Sequence, residues 1–172
     1  MNAFAKIAQP ALRAAYGAKT LHMSGGELVE PADENWFDAV DPCTGEVIAQ
    51  IAEGSAADID RAVKSARAAF EGPWSKFKPS ERQVVLLRLA DLIEAEFDDI
   101  ALVDTLEMGR PITPSRNFAS MILRALRHYA GLATAIHGQT MGNSAMVDLL
   151  SYTLREPVGV VGAIIPWNGP IF

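Results

Sequence analysis

The chain has 172 residues, of which 49% are hydrophobic and 21% are charged, and its formal net charge is −6 at pH 7. This composition is typical of a globular domain with a hydrophobic core and excludes wholesale disorder. The acidic balance argues against a nucleic-acid surface, which needs clustered Lys and Arg. The longest apolar run, residues 158–165, is far shorter than the about 20 residues of a membrane-spanning helix. We therefore expect neither a nucleic-acid nor a membrane partner.

The N-terminal segment is basic and rich in alanine. Its first 26 residues include Lys6, Arg13 and Lys19 and no acidic residue. A mitochondrial-type presequence has this character, but it usually carries more serine and arginine. We favour an N-terminal arm over residues 1–20, part helical and part disordered. The single cysteine, Cys43, excludes an internal disulfide and fits a reducing compartment, so we expect a cytoplasmic location.

Two β-hairpins are predicted after this arm. Residues 21–30 have Gly25-Gly26 at their centre, which favours two short strands around a turn. A second pair of strands is predicted from apolar residues that alternate with others on both sides of Asp41-Pro-Cys-Thr-Gly45, because these turn residues favour a chain reversal.

Three helices follow. The first begins at Ser55, where Asp58 completes a capping pair, and it ends at Gly72-Pro73. The second is predicted to open with a capping box at Ser80 and Gln83 and to reach about Glu107, with a break near residues 96–99. Gly109-Arg110-Pro111 closes it. The third spans residues 115–137 and is stopped by Gly138.

Two further strands are predicted near the C-terminus. Residues 146–155 are predicted as one strand, and residues 158–165 as a second that is apolar without alternation. Such a pattern is typical of a strand covered on both faces in a parallel sheet, so we predict an α/β fold. A strand of this kind needs parallel neighbours reached through crossover helices, and no later strand remains in the sequence.

The segment Pro166-Trp-Asn-Gly-Pro170 follows this last strand. In open α/β folds the functional crevice lies beyond the carboxyl ends of the strands. The side-chain amide of Asn168 is a neutral donor that can stabilise a developing oxyanion. Asn side chains also commonly satisfy backbone groups of their own turn, and spacing alone leaves both roles open.

The stretch YTLREPVGVVGAIIPWN, residues 152–168, resembles the signature segment of the NAD(P)-dependent aldehyde dehydrogenase superfamily. The likeness extends upstream through DPCTGEVIAQIAEGSAADIDRAVKSARAAFEGPWSK, PSERQVVLLRLADLIE, TLEMGRPI and RHYAGLATAIHGQT. It covers residues 20–172 in all, and the motifs are specific in combination.

This resemblance implies the N-terminal part of the aldehyde dehydrogenase fold: helices and the first inner strand of a Rossmann-like cofactor domain, with oligomerisation-type hairpin strands. The implied reaction oxidises an aldehyde to a carboxylic acid with NAD or NADP. A cysteine attacks the aldehyde to give a thiohemiacetal, hydride passes to the nicotinamide, and a glutamate activates the water that hydrolyses the thioester. The family is typically a homodimer or a homotetramer.

The resemblance also assigns site residues. Asn168 matches the asparagine whose amide stabilises the oxyanion, and Ile164, Ile165, Pro166 and Trp167 match the segment that lines the cofactor cleft. Gly169 departs from the pattern, in which phenylalanine usually follows the asparagine, so the wall of the site beside it is left undefined.

Other candidates are weaker. Cys43 has no nearby base in sequence, and the family's nucleophile lies much later, so we do not assign it as catalytic. His22, His128 and His137 lack metal-ligand spacing and are expected to be surface or packing residues. Some relatives bind a monovalent cation near positions matching Val40 and Glu107, but we assign no metal here.

The sequence holds the oxyanion donor without the family's thiol and base, and catalysis needs all three in one geometry. We therefore expect residues 21–172 to be a partial, truncated aldehyde dehydrogenase domain that is inactive alone. The alternative is a non-catalytic binding or oligomerisation module that associates with a full-length homologue. An exposed apolar strand at the C-terminus argues against that alternative, because such an edge promotes aggregation.

Overall fold

A computed structural model of the chain describes residues 19–170. The predicted N-terminal arm, and with it the presequence considered above, falls on residues 1–20 and lies almost wholly outside the described residues. The elements that follow are short strands, then helices, then two more short strands. In chain order they are β1 (Lys19–Thr20), β2 (His22–Ser24), β3 (Glu27–Val29), β4 (Trp36–Val40), β5 (Val47–Ala52), α1 (Ala56–Glu71), a 3₁₀ turn (Pro73–Lys76), α2 (Pro79–Ala95), α3 (Phe97–Met108), α4 (Ile112–Asn117), α5 (Ala119–Leu132), β6 (Thr140–Met141) and β7 (Ser151–Tyr152).

The strands form three separate pairings. A mixed sheet has the order β1-β5-β4, in which β5 runs parallel to β1 and antiparallel to β4. β2 and β3 form a hairpin, and β6 pairs antiparallel with β7. The two hairpins predicted from the sequence, β2 with β3 and β4 with β5, are therefore confirmed. The turn between β4 and β5 is closed by the Gly45 N–H, which donates to the Asp41 carbonyl at 2.8 Å.

Helix α1 begins as its sequence predicts. The Ser55 side chain accepts from the Asp58 N–H, and the Asp58 carboxylate accepts from the Ser55 N–H at 3.0 Å, which completes a capping box. The same carboxylate also accepts from the Ala32 N–H and pairs with Arg61, although Asp58 is a buried residue. Asp58 thus joins the loop after β3 to the N-terminus of α1.

The predicted capping box at Ser80 and Gln83 is wrong. The N-cap of α2 is Lys78 instead of Ser80, so the helix begins at Pro79, and the Lys78 N–H donates to the Glu81 carboxylate at 2.6 Å. Proline suits a first helical position because its missing N–H would have no helical partner there. The predicted break near residues 96–99 is confirmed, since α2 ends at Ala95 and α3 begins at Phe97.

The third predicted helix is divided and shorter than expected. α4 begins at Ile112, before Pro114, because a proline in the first turn removes an N–H that the helix leaves unpaired. The second part, α5, ends at Leu132 instead of near His137. Gly138 has a different role, since a Cβ on it would lie 1.7 Å from the Thr153 carbonyl oxygen. Only glycine permits this close approach of the two chain segments.

Helix α3 contributes buried residues to both hydrophobic clusters of the small core. Its Val103 packs with Ile48 and Ala49 of β5, and its Phe97 and Ala101 pack with Ile122 of α5. The helix ends at Gly109, which adopts a left-handed conformation with φ 71°. A Cβ at this position would lie 2.9 Å from Pro42 Cγ. Gly109 therefore satisfies both the helix end and the contact with the β4–β5 turn.

The strand predicted over residues 158–165 is absent, and the strand predicted over 146–155 is reduced to β7. A buried parallel strand takes its hydrogen bonds from two neighbours. Within residues 19–170 no strand lies beside residues 158–165, so Val158 and Ile164 are exposed. The inner-strand prediction is thus wrong for this structure, whereas the mixed helical and strand architecture is confirmed.

None of the helices in residues 19–170 combines the length and the apolar character needed to cross a bilayer. The finding agrees with the short apolar runs of the sequence.

We predict opposite effects of two Gly→Ala substitutions. Gly109→Ala should lower the free energy of unfolding by about 1–2 kcal/mol, because a left-handed backbone costs a non-glycine residue roughly that much, and the clash with Pro42 adds to it. Gly131→Ala, inside α5 with no atom within 4 Å of the added Cβ, should instead stabilise by about 0.5–1 kcal/mol. Urea denaturation followed by circular dichroism measures both. Equal effects of the two substitutions would contradict the left-handed assignment.

We also predict acid-sensitive stability from Asp58. The Asp58 pKa is lowered from its ordinary value of 3.8, first because the Ser55 backbone N–H donates to the carboxylate and further because the Ser55 hydroxyl, the Ala32 N–H and Arg61 favour its charged form. A lowered folded-state pKa contributes stability above the unfolded value, and this contribution is lost as the pH falls through the folded value.

Asp58→Asn should therefore destabilise the protein at neutral pH, and the difference from the wild type should shrink as the pH falls below 3.8. Denaturation midpoints across this range measure it. Asp60→Asn is the control, since Asp60 pairs with Lys64 on the surface, and it should change little. A difference between wild type and Asp58→Asn that is constant with pH would refute the assignment.

Candidate functional site

The segment 166–170 forms a turn after the apolar run. The Gly169 N–H donates to the Pro166 carbonyl over a long 3.4 Å, and Gly169 is buried. Residues 161–168 are exposed, and the Trp167 side chain is 84% exposed. The turn therefore buries Gly169 and presents Trp167 and Asn168 to solvent.

Asn168 is held through its backbone and not through its side chain. Its carbonyl oxygen accepts a hydrogen bond of 2.5 Å from Arg110 Nη2. Its side-chain amide makes no hydrogen bond with any residue of the described range 19–170. The amide does not satisfy the backbone of its own turn, which was the alternative role open from the sequence. An N–H₂ donor is therefore available to a bound group.

The Arg110 side chain reaches Asn168 from the end of α3. It is 17% exposed, and its Nη1 lies 3.3 Å from Asp104 Oδ2. Its guanidinium carbon lies 4.6 Å from the centre of the Phe118 ring, within cation–π range. Charge and an aromatic face thus fix the direction of the guanidinium.

Asp104 is itself positioned by a buried hydroxyl. Ser115 Oγ donates to Asp104 Oδ2 at 2.7 Å, and both residues are buried. Sequence reasoning used Arg110 only as part of a helix stop and did not identify Asp104 or Ser115. The sequence signal that could have identified the pair was Asp104 itself, a charged residue among apolar residues of α3 that lies six positions before Arg110.

The residues matched to a cofactor cleft form an exposed apolar edge. Ile164 is fully exposed, Ile165 is 55% exposed and Trp167 is 84% exposed. Pro166 is also exposed. These four residues directly precede Asn168 in the sequence.

The thiol lies in a turn rather than in a catalytic arrangement. Cys43 is exposed, and its N–H donates to Asp41 Oδ1 at 2.7 Å. His128 stacks edge-on against Tyr129, and His137 is exposed. His22 Nε2 is buried without a hydrogen bond from the described residues.

No metal site is found in the part of the chain that the structure describes, since no three His, Cys, Asp or Glu side chains group there. The Glu107 pKa is raised above its ordinary value of 4.5, first because neighbouring protein displaces water from the carboxyl and second because Asp104 repels its charge. This change follows from packing at the end of α3 and needs no cation.

Comparison with known proteins identifies relatives of the chain. The profile of the aldehyde dehydrogenase family matches residues 28–172. The mitochondrial aldehyde dehydrogenase of Mesocricetus auratus is 49% identical over 148 residues, which are 84% of this chain and 29% of that protein. Aldehyde dehydrogenase family 2 member B4 of Arabidopsis thaliana, also mitochondrial, is 47% identical over 148 residues, which are 85% of this chain and 27% of that protein.

Solved structures agree with these sequences. An E194S mutant of aldehyde dehydrogenase from Bacillus cereus aligns with a TM-score of 0.88 at 39% identity, over 95% of this chain and 33% of that one. An NAD⁺ complex of aldehyde dehydrogenase from Bacillus cereus aligns with a TM-score of 0.81 at 36% identity, over 87% of this chain and 30% of that one.

The chain therefore spans about 30% of the length of the relatives that it matches. The matched residues 28–172 include helices α1 to α5, the hairpin of β4 and β5, and the turn that carries Asn168. On the family profile, the sequence identity and the fold together, the chain belongs to the aldehyde dehydrogenase family.

Proposed function

We propose that the whole protein is an NAD-dependent aldehyde dehydrogenase in which this chain supplies the oxyanion donor, Asn168. Family membership supports the reaction class. The NAD⁺ complex of the Bacillus cereus relative supports the choice of a nicotinamide cofactor. The observation that carries the role of Asn168 is its geometry: an exposed, unbonded amide on a turn whose backbone is held by Arg110.

The amide suits the chemistry of this reaction. Attack of a nucleophile on an aldehyde carbonyl places negative charge on the carbonyl oxygen. A neutral N–H₂ group aimed at that oxygen stabilises the charge without carrying a charge that must itself be desolvated. Because the Asn168 side chain makes no hydrogen bond within residues 19–170, no described residue competes for its N–H₂ donor.

The apolar edge of Ile164, Ile165, Pro166 and Trp167 fits one part of a dinucleotide. Exposed aliphatic and aromatic side chains can cover the flat face of a ring, while the phosphates need N–H groups or cations that this edge does not offer. We propose that these four residues form an apolar wall of the cofactor cleft. Bound there, the cofactor would accept the hydride of the aldehyde.

The remaining groups come from outside the described residues in this proposal. Cys43 lies in the Asp41–Gly45 turn, and within residues 19–170 its thiol has no hydrogen bond to a histidine or a carboxylate. We propose residues 1–20 as an arm and residues 21–172 as part of a domain that the rest of the enzyme completes. A homodimer or homotetramer and a cytoplasmic location also remain proposals, testable by light scattering and by cell fractionation.

The second candidate function is a non-catalytic binding or oligomerisation module. It is favoured by the apolar surface of residues 146–167, where Met146 and Ile164 are fully exposed. A surface of this kind requires a partner, either the rest of the same enzyme or a full-length homologue. Co-purification of the 172-residue chain with such a homologue, without a change in its activity, would favour the module.

We predict that Asn168→Ala lowers kcat by about 10²–10³-fold, the usual effect of losing one oxyanion donor. The assay uses a chimera in which residues 28–172 replace the matching segment of the Mesocricetus auratus enzyme, with a short aliphatic aldehyde and NAD⁺ as substrates. Asn117→Ala at the exposed end of α4 is the control and should keep the activity of the chimera. An unchanged kcat in Asn168→Ala would rule out this role.

We further predict that the 172-residue chain alone forms no NADH from the same substrates, because a donor without an activated thiol cannot catalyse the reaction. The measurement is NADH absorbance with purified chain, and the chimera is the positive control. Activity that is lost in Cys43→Ser would show that the chain is an enzyme by itself and that its only thiol is the nucleophile.

A further inference from the structure

We propose that Arg110 is a positioning residue that fixes the Asn168 amide through the Asn168 main-chain carbonyl. The inference rests on the proposed role of Asn168 as oxyanion donor. It goes further by assigning the orientation of that donor to a residue 58 positions earlier in the chain.

The approach of Arg110 is fixed by its own backbone. Gly109 turns the chain through a left-handed conformation at the end of α3, against the side chain of Pro42. Pro111 follows directly and restricts Arg110 to an extended backbone. The arginine therefore leaves α3 in one direction, towards the turn at residues 166–170.

The guanidinium faces two partners of different kinds. Nη1 lies 3.3 Å from the buried carboxylate of Asp104 but donates no hydrogen bond to a described residue. Nη2 donates its short bond to the Asn168 carbonyl. The carboxylate thus balances the charge, and the ring of Phe118 covers one face. The directional bond of this arginine goes to Asn168.

No other hydrogen bond joins residues 154–170 to another part of the chain between residues 19 and 170. Two hydrogen bonds hold Thr153 beside β6. The Thr153 N–H donates to the Gln139 carbonyl, and the Gln139 N–H donates to the Thr153 hydroxyl. Between that anchor and the turn the chain is not paired. Loss of Arg110 would therefore free the backbone that carries the amide.

The expected kinetic signature follows from when the amide acts. Charge on the substrate oxygen develops in the transition state, so a misplaced donor lowers kcat more than it weakens substrate binding. A displacement of about 1 Å at a reacting group can cost on the order of 10²-fold in rate. An arginine that only stabilised the fold would not produce this split.

The test is a double-mutant cycle in the chimera described above, with Arg110→Ala, Asn168→Ala and both together. We expect Arg110→Ala to lower kcat by about 10- to 100-fold, with little change in KM for the aldehyde. In an Asn168→Ala background the same change should have little further effect, because the donor to be positioned is gone. Arg110→Lys should restore part of kcat, since an ammonium can still donate to the carbonyl. Arg116→Ala, which removes an exposed pair with Asp98, is the control.

The outcomes separate the two proposals. If Asn168→Ala leaves kcat unchanged, or if the chimera itself is inactive, the proposed function fails. If Asn168→Ala is impaired but the effects of the two substitutions multiply independently, or if Arg110→Ala is as active as the chimera, Arg110 does not act through Asn168.

Hydrogen exchange on the 172-residue chain tests the tether without catalysis. Arg110→Ala should speed exchange of the Gly169 N–H, the amide next to the tethered carbonyl, and leave the β4–β5 ladder unchanged. Unchanged exchange at Gly169 would overturn the proposal. Equal acceleration at Gly169 and in the β4–β5 ladder would also overturn it, because that result would indicate a general loss of stability.

Discussion

The packing of α3 between two layers is the interaction on which the rest of this structure depends. One face of the helix buries Val103 against β5, and another buries Phe97 and Ala101 against α5. Because it takes part in both hydrophobic clusters, this helix connects the sheet to the other helices. The end of this helix at Gly109 sets the position from which the Arg110 side chain extends. The hydrogen bond of Arg110 then connects the core to the turn that carries Asn168.

Two buried aspartates perform related tasks. The Asp58 carboxylate accepts hydrogen bonds from the N–H of Ser55, the cap of its own helix, and from the N–H of Ala32 in the loop after β3. Asp104 receives the Ser115 hydroxyl and lies beside Arg110. A carboxylate buried in this way is stable only when donors or a cation surround it. Asp58 thereby links α1 to the loop after β3, and Asp104 links α3 to α4. In the second case the link leads from α3 and α4 to the candidate site.

The parts of the fold that depend on local sequence were predicted well. The cap at Ser55, the break after Ala95 and the stop at Gly109 each follow from a few adjacent residues. The strand over residues 158–165 was not obtained, because a buried strand is stabilised by neighbours that its own sequence does not supply. Asn168 was selected by resemblance, and its role as oxyanion donor stays a prediction. Arg110 was missed because its partner is 58 residues away, and no periodicity or spacing marks such a contact.

We propose that an amide held through its backbone by Arg110 meets the developing oxyanion. A crystal structure of the chimera, trapped with an aldehyde-derived adduct and NAD⁺, tests this most directly. We expect the Asn168 side-chain nitrogen within hydrogen-bond distance of the adduct oxygen, about 2.7–3.1 Å, while Arg110 still donates to the Asn168 carbonyl. An amide directed away from the adduct, or an adduct oxygen bound by other donors with Arg110 turned to solvent, would contradict it.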